Sequence, residues 1–292
     1  MADWGRDITF GAFLIPDAVT DLVGAAREAE AHGLDWIGVQ DHPYQRRFVD
    51  TFSLLATIAG STETIGLFPD VACLPLRPPA MMAKAAASID ILSGGRFELG
   101  LGAGAFWDAI VAYGGERRSP GEALAALEEA VAVIRLVWSG ERGMRFDGDF
   151  YHLGGAHAGP LPAHPIGIWL GVYGPRALAL AGRLADGWVP SLRGDVDQLA
   201  SMAEQLDAAA EAAGRSPGEI RRVLNLNGAI TDGVSRGVLH GPTDQWVDEI
   251  TALALHHGFD TFITTADDTD HLRIFADTVV PDVRAAVAAA RA

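Results

Sequence analysis

Short apolar runs alternate with longer amphipathic stretches along the whole chain. Residues 8–15 (ITFGAFLI) are rich in β-formers and end at Pro16, and residues 17–32 then place Leu22, Ala26, Ala29 and Gly33 on one helical face. Residues 36–39 predict a second strand, followed by a polar loop and an apolar helix over 52–59. A third strand is predicted over 65–74, with its helix starting after Arg77-Pro78-Pro79, where proline suits the first turn. Residues 97–101 read as a fourth strand, entered through the tight turn Ser93-Gly94-Gly95. The helix that follows carries Leu124, Leu127, Val131, Ile134 and Trp138 as one apolar stripe. Strands five to eight fall at 168–171, 187–190, 222–230 and 261–264. Helical stretches follow them at 176–185, 196–213, 243–257 and from 270 onward.

Eight strand–helix pairs, each strand short and apolar throughout, predict an α/β fold of one kind: a single (β/α)8 TIM barrel occupying residues 1–292 as one domain. A doubly wound open sheet is the alternative, and the regular eightfold alternation argues against it. Two segments exceed ordinary loops. Residues 140–165, after the fourth helix, contain an alternating stretch over 144–153 that predicts a hairpin. Residues 232–242, after the seventh strand, are glycine-rich and polar, as a lid would be.

Composition narrows the function. With 49% hydrophobic residues the chain can bury a large core, and 22 basic against 38 acidic side chains leave a formal charge of −16. That balance argues against a phosphate-tracking, nucleic-acid-binding surface, and no basic amphipathic stretch suits an anionic membrane. No secretory signal and no membrane-length apolar run is visible, and the lone Cys73 cannot form an intrachain disulfide, so a cytoplasmic location is expected. Cys73 itself reads as packing. His152, His157 and His164 match no ligand spacing, so no metal site is expected; His256 and His257 suit the negative end of a helix. No Gly-x-Ser-x-Gly occurs. Redox chemistry on a bound cofactor is what remains.

In a parallel barrel the site lies where the strands end, so residues just past each apolar run are the candidates. After strand two stands Asp41-His42, a histidine beside a carboxylate, suited to proton exchange or equally to capping a loop. Asp70 interrupts the apolar third strand, either as a functional group or as a solvated strand end. After strand four, Gly100-Leu101-Gly102-Ala103-Gly104 lets backbone approach a ligand. After strand five, Gly171-Val172-Tyr173-Gly174-Pro175-Arg176 runs straight into a helix whose free amides could face an anion. Phe13, Tyr44, Trp107, Trp188, Asn225 and Asn227 are candidates for a substrate pocket, with 232–242 as its lid.

The stretch Val71-Ala72-Cys73-Leu74-Pro75-Leu76-Arg77-Pro78-Pro79 and the run from Leu92-Ser93-Gly94-Gly95-Arg96-Phe97 to Gly104 are distinctive. Together with Ala185-Asp186-Gly187-Trp188, they resemble the bacterial-luciferase-like superfamily of flavin- and deazaflavin-dependent oxidoreductases. The resemblance implies a cofactor over the strand ends, with its phosphate held by Gly102, Ala103, Gly104 and the turn Gly171, Val172, Tyr173, Gly174, Pro175, Arg176. It also implies a non-proline cis peptide behind the cofactor ring at Asp70-Val71, where the family more often has a small first residue. Asp41-His42 resembles the Asp-His pair of members that use coenzyme F420, which implies His42 as catalytic acid, base or hydrogen-bond donor, with Asp41 orienting it or touching the cofactor. The glutamate of sugar-phosphate dehydrogenases is absent from Ala105-Phe106-Trp107-Asp108. The expectation is F420-dependent hydride transfer to or from a small organic substrate. A reduced-FMN monooxygenase served by a separate reductase is the alternative, and a noncatalytic flavin-binding barrel the second. A homodimer fits the family's habit.

Overall fold

The computed structural model describes residues 3–266 and 268–292. In chain order the strands are β1 (Thr9–Leu14), β2 (Trp36–Val39), β3 (Gly66–Pro69), β4 (Ala72–Cys73), β5 (Leu99–Gly102), β6 (Arg142–Asp147) and β7 (His152–His157). They continue with β8 (Ile168–Leu170), β9 (Gly187–Trp188), β10 (Arg221–Asn225), β11 (Ala229–Ile230), β12 (His240–Gly241) and β13 (Thr261–Thr265). The helices are α1 (Leu22–Ala31), α2 (Thr51–Ala59), α3 (Pro79–Ser93), α4 (Trp107–Ala112) and α5 (Pro120–Trp138), then α6 (Pro175–Leu184), α7 (Val196–Ala212), α8 (Thr243–His257), α9 (Thr269–Ile274) and α10 (Val280–Arg291).

Nine of these strands form one sheet in the order β3-β2-β1-β13-β10-β9-β8-β5-β4, and every pairing within it is parallel. Its two ends, β3 and β4, are two halves of the predicted third strand, separated by the cis peptide Asp70–Val71. The halves close the circle. β4 pairs with β5, while Leu67 N–H donates to Arg96 O at 2.8 Å and Glu98 N–H donates to Leu67 O at 2.9 Å. The fold is therefore an eight-position parallel barrel wrapped by helices, as the alternation predicts.

Strand side chains divide between two apolar layers because successive residues point to opposite faces. Phe10, Ala12 and Leu14 of β1 face the helices, whereas Phe68, Trp169, Val189, Val223 and Ile263, with Phe13, Trp36 and Val71 against them, fill the barrel. The interior is tight enough to require glycine: a Cβ on Gly66 would stand 2.4 Å from the Trp36 ring. The helices begin and end where local chemistry dictates. Ser119 and Glu122 form a reciprocal capping box at the start of α5, and Gly94 ends α3 in the left-handed conformation at φ 74°. His256 and His257 occupy the last turn of α8.

Two expectations need correction. The seventh strand stops at Asn225 rather than running to 230; β11 instead pairs with β12 in a separate parallel ribbon. Gly228 permits this, since its Cβ would stand 2.2 Å from Leu239 O, and Leu239, His240 and Gly241 at the end of the 232–242 segment lie against β11. The hairpin expected over 144–153 forms as the antiparallel pairing of β6 with β7, whose strands run beyond that stretch at both ends. The first helix starts at Leu22, because the Asp21 carboxylate caps it by accepting from Gly24 N–H.

Candidate active site

The C-terminal end of the barrel carries an open cavity of about 510 Å³, bounded by Phe13, His42, Tyr44, Asp70, Val71, Phe106 and Asn225 among others. A second cavity of about 640 Å³ shares Ala103, Gly104, Ala105, Val172 and Ala177 with it and extends to Gly174, Pro175 and Arg176. Thus the ends of β2, β4, β5 and β8 converge on one continuous hollow, although they are separated by long stretches of sequence.

Asp41 is 1% exposed, and its carboxylate is fully engaged. Oδ2 accepts from Arg77 Nε and Cys73 N–H, both at 2.8 Å, and Oδ1 accepts from Arg77 Nη2 at 2.8 Å. Arg77 also donates to Asp50, the cap of α2, at 2.6 Å and lies over the Phe52 ring at 4.7 Å. Asp41 therefore ties the loop after β2 to the loop after β4. Its oxygens are spent there, which leaves shape rather than a free acceptor as its contribution to the cavity.

That clamp fixes the backbone from which His42 projects. The imidazole stacks on Tyr44 with centroids 5.4 Å apart and planes at 19°, and meets Phe106 edge-on at 5.2 Å. Burial holds the His42 pKa below its usual value, with the Asp41 charge pulling the other way, so the ring is predominantly neutral near pH 7. Burial pushes the neighbouring Tyr44 hydroxyl and Cys73 thiol each up to about 12. Both stay protonated, so Cys73 is a packing residue with no thiolate to offer.

Asp70 lies on the cavity floor, 8% exposed. Its Oδ1 accepts from Asn225 Nδ2 at 2.9 Å, whereas Asp70 Oδ2 and Asn225 Oδ1 are buried without a hydrogen-bond partner. Burial pushes the carboxyl up to about 7 against the opposing Asn225 bond.

The glycines here have a packing role as well. A Cβ on Gly102 or Gly171 would stand 2.8 or 2.7 Å from a Val71 methyl, and one on Gly104 (φ +96°) would stand 2.6 Å from Pro75. They let Val71 and the bend after β4 approach the neighbouring strands. At the far end, α6 begins at Pro175 after Gly174 (φ 64°), which gives it no side-chain cap, and Arg176 forms no ion pair among the described residues. A neutral imidazole, unsatisfied floor groups and an uncapped helix start fit a flat heterocycle bearing a phosphate.

Two expectations about the pocket fail. Trp188 is fully buried, donates its Nε1 proton to Val172 O at 3.0 Å and packs on Phe259, so it belongs to the core. Asn227 donates to Leu192 O at 2.7 Å, a tie between loops. Conversely, sequence reasoning missed Phe106, Ser191 and Arg193. Arg193 lies 4.9 Å over the Tyr173 ring, whose hydroxyl accepts from Ser191 N–H at 2.9 Å. The available signal was position, since Ser191 and Arg193 directly follow the sixth apolar run. Among the described residues no group of three His, Cys, Asp or Glu side chains could hold a metal ion. No helix among them is long and apolar enough to cross a membrane.

Fold and site together define a parallel barrel with open cavities at its strand ends. Residues 7–236 match the luciferase-like monooxygenase family, and the chain belongs to it. It is accordingly an oxidoreductase. An F420-dependent hydroxymycolic acid dehydrogenase of Mycobacterium tuberculosis is 34% identical over 222 residues, covering 72% of this chain and 59% of that protein. An F420-dependent secondary alcohol dehydrogenase, solved with an F420–acetone adduct, superposes with a TM-score of 0.83 at 18% identity, covering 95% of this chain and 99% of the other. The oxygenating constituent of a Baeyer–Villiger monooxygenase from a Pseudomonas putida plasmid, in complex with FMN, superposes at 0.77 with 18% identity, covering 94% and 99%. Those two likenesses establish the shared fold.

Proposed function

We propose that this barrel is an F420-dependent oxidoreductase that moves a hydride between the deazaflavin and a small organic substrate. The observation that carries the reading is His42. It is a predominantly neutral imidazole, held on a rigid Asp41–Arg77 clamp and aimed into the cavity between Tyr44 and Phe106. The F420 dependence of the mycobacterial relative supports the choice of cofactor. When bound, the deazaflavin would supply the redox chemistry. The protein would supply position and protons. Val71 would back the ring, Gly102, Ala103 and Gly104 with Gly171, Val172, Tyr173, Gly174, Pro175 and Arg176 would hold the phosphate, and His42 would exchange a proton with the substrate oxygen.

The test is direct binding. Purified protein is titrated with F420 and with FMN while its seven tryptophans report occupancy, then assayed for turnover. Binding of F420 at micromolar concentration, with FMN much weaker, is expected. Tight FMN binding without F420 binding overturns the deazaflavin reading in favour of the reduced-FMN monooxygenase, which would need a separate reductase. Binding of either without any turnover points to the noncatalytic barrel.

A further inference from the structure

Among the described residues Asp70 is a buried acid of the cavity that, unlike Asp41, makes no ion pair, and its carboxyl is held by Asn225. Around it stand Gly38 of β2, Phe68 of β3 and Asn225 of β10. The ionisable groups that share the cavity are Asp41, paired with Arg77; His42 and Tyr44 beyond β2; Cys73 of β4; and Tyr173 and Arg193 beyond β8 and β9. Burial and the Asn225 bond alone act on the Asp70 carboxyl. An ionised carboxylate here would be a buried charge with a single neutral hydrogen bond, a costly arrangement. A proton on Oδ2 removes the charge and leaves Oδ1 as the carbonyl oxygen that accepts from Asn225. Oδ2 then becomes a donor without an acceptor, and Asn225 Oδ1 an acceptor without a donor. The pair is complementary to a ring edge on which a carbonyl or ring nitrogen stands beside an N–H.

Resting on the cofactor reading above, we propose that Asp70 enters the complex as a neutral carboxylic acid and donates its Oδ2 proton to an acceptor atom of the bound ring. Asn225 acts as the positioning residue that holds the acid in that orientation and accepts from the adjacent N–H.

The proposal predicts how affinity depends on pH. Titration with oxidised F420 and with oxidised FMN from pH 6 to pH 9 should show Kd rising about tenfold per pH unit above neutrality in the wild type. Asp70→Asn keeps a donor at the same place without a titratable group, so that variant should bind at pH 9 about as it does at pH 6. A slope contributed by the ligand or by His42 persists in Asp70→Asn; an unchanged slope in that variant, or no slope in the wild type, overturns the proposal. Absence of binding at every pH overturns the cofactor reading as well, which separates the two failures. Should Asp70→Asn fail to fold, infrared difference spectra of wild-type protein carrying labelled aspartate decide instead. A carboxylic acid C=O band retained in the complex at pH 8 is the expected result, and carboxylate bands alone contradict it.

Discussion

At the level of single residues, His42 and Asp70 carry different chemistry although both stand at strand ends. His42 is kept uncharged by burial, so it can accept a proton, and a rate that depends on this should fall as pH drops through its lowered pKa. His42→Ala should cut kcat by roughly 10²–10⁴-fold while cofactor affinity, read by tryptophan quenching, changes only a few-fold. Unchanged turnover of the native substrate removes the catalytic assignment. Asp70 bears on stability. Its folded pKa, about 7, lies above the ordinary 3.8, so the folded state binds the proton more tightly than the unfolded chain. The stability contributed by this group is complete below about pH 4, declines as pH rises and is lost by about pH 7. Asp70→Asn should therefore raise the melting temperature by a few degrees at pH 8 and have little effect at pH 4. Thermal scans at both values check the sign. Asp70 broke the apolar pattern and so was visible in sequence. Its partner Asn225, 155 positions away, was visible only as a polar residue near a strand end.

Among the secondary elements, the join between the ends of β2 and β4 depends on the Asp41–Arg77 pair. Breaking a buried ion pair costs about 3–5 kcal/mol when the remaining charge is stranded. In Asp41→Asn, Arg77 keeps Asp50, so a loss of about 2–4 kcal/mol in chemical denaturation is expected, together with weaker cofactor binding as the loop bearing His42 loosens. A loss confined to stability, with binding intact, would show that the clamp does not position the site. The pair gives the segment Leu74-Pro75-Leu76-Arg77 a structural role. The prolines shape the bend, and the arginine at its end reaches back to the preceding strand. Periodicity placed the barrel strands within a few residues. It could not place β11 and β12, because two-residue strands have no period, and their pairing is permitted by the close approach of Gly228 to Leu239.

For the molecule as a whole, the charge of −16 opposes any anionic ligand at a distance, while Arg176 and the amides at the start of α6 act only at short range. Association of a phosphate-bearing cofactor should therefore speed up, by about two- to fivefold, as salt is raised from about 0.01 M to about 0.15 M and long-range repulsion is screened. Stopped-flow quenching measures this, and slowing with salt contradicts it. Arg176→Ala should weaken binding through a faster off-rate.

The sequence by itself determined the eightfold alternation, the barrel class and the strand-end addresses of His42, Asp70 and the two glycine turns. These follow from local periodicity and from the rule that parallel strands open their loops at one end. Only the tertiary structure decided that the Asp41 oxygens are taken up by Arg77, that Trp188 is core, and that Asp70 and Asn225 share a floor with two unsatisfied oxygens. The physical reason is that a side chain's partners, and hence its charge and availability, are set by which distant strands the closing barrel brings alongside it.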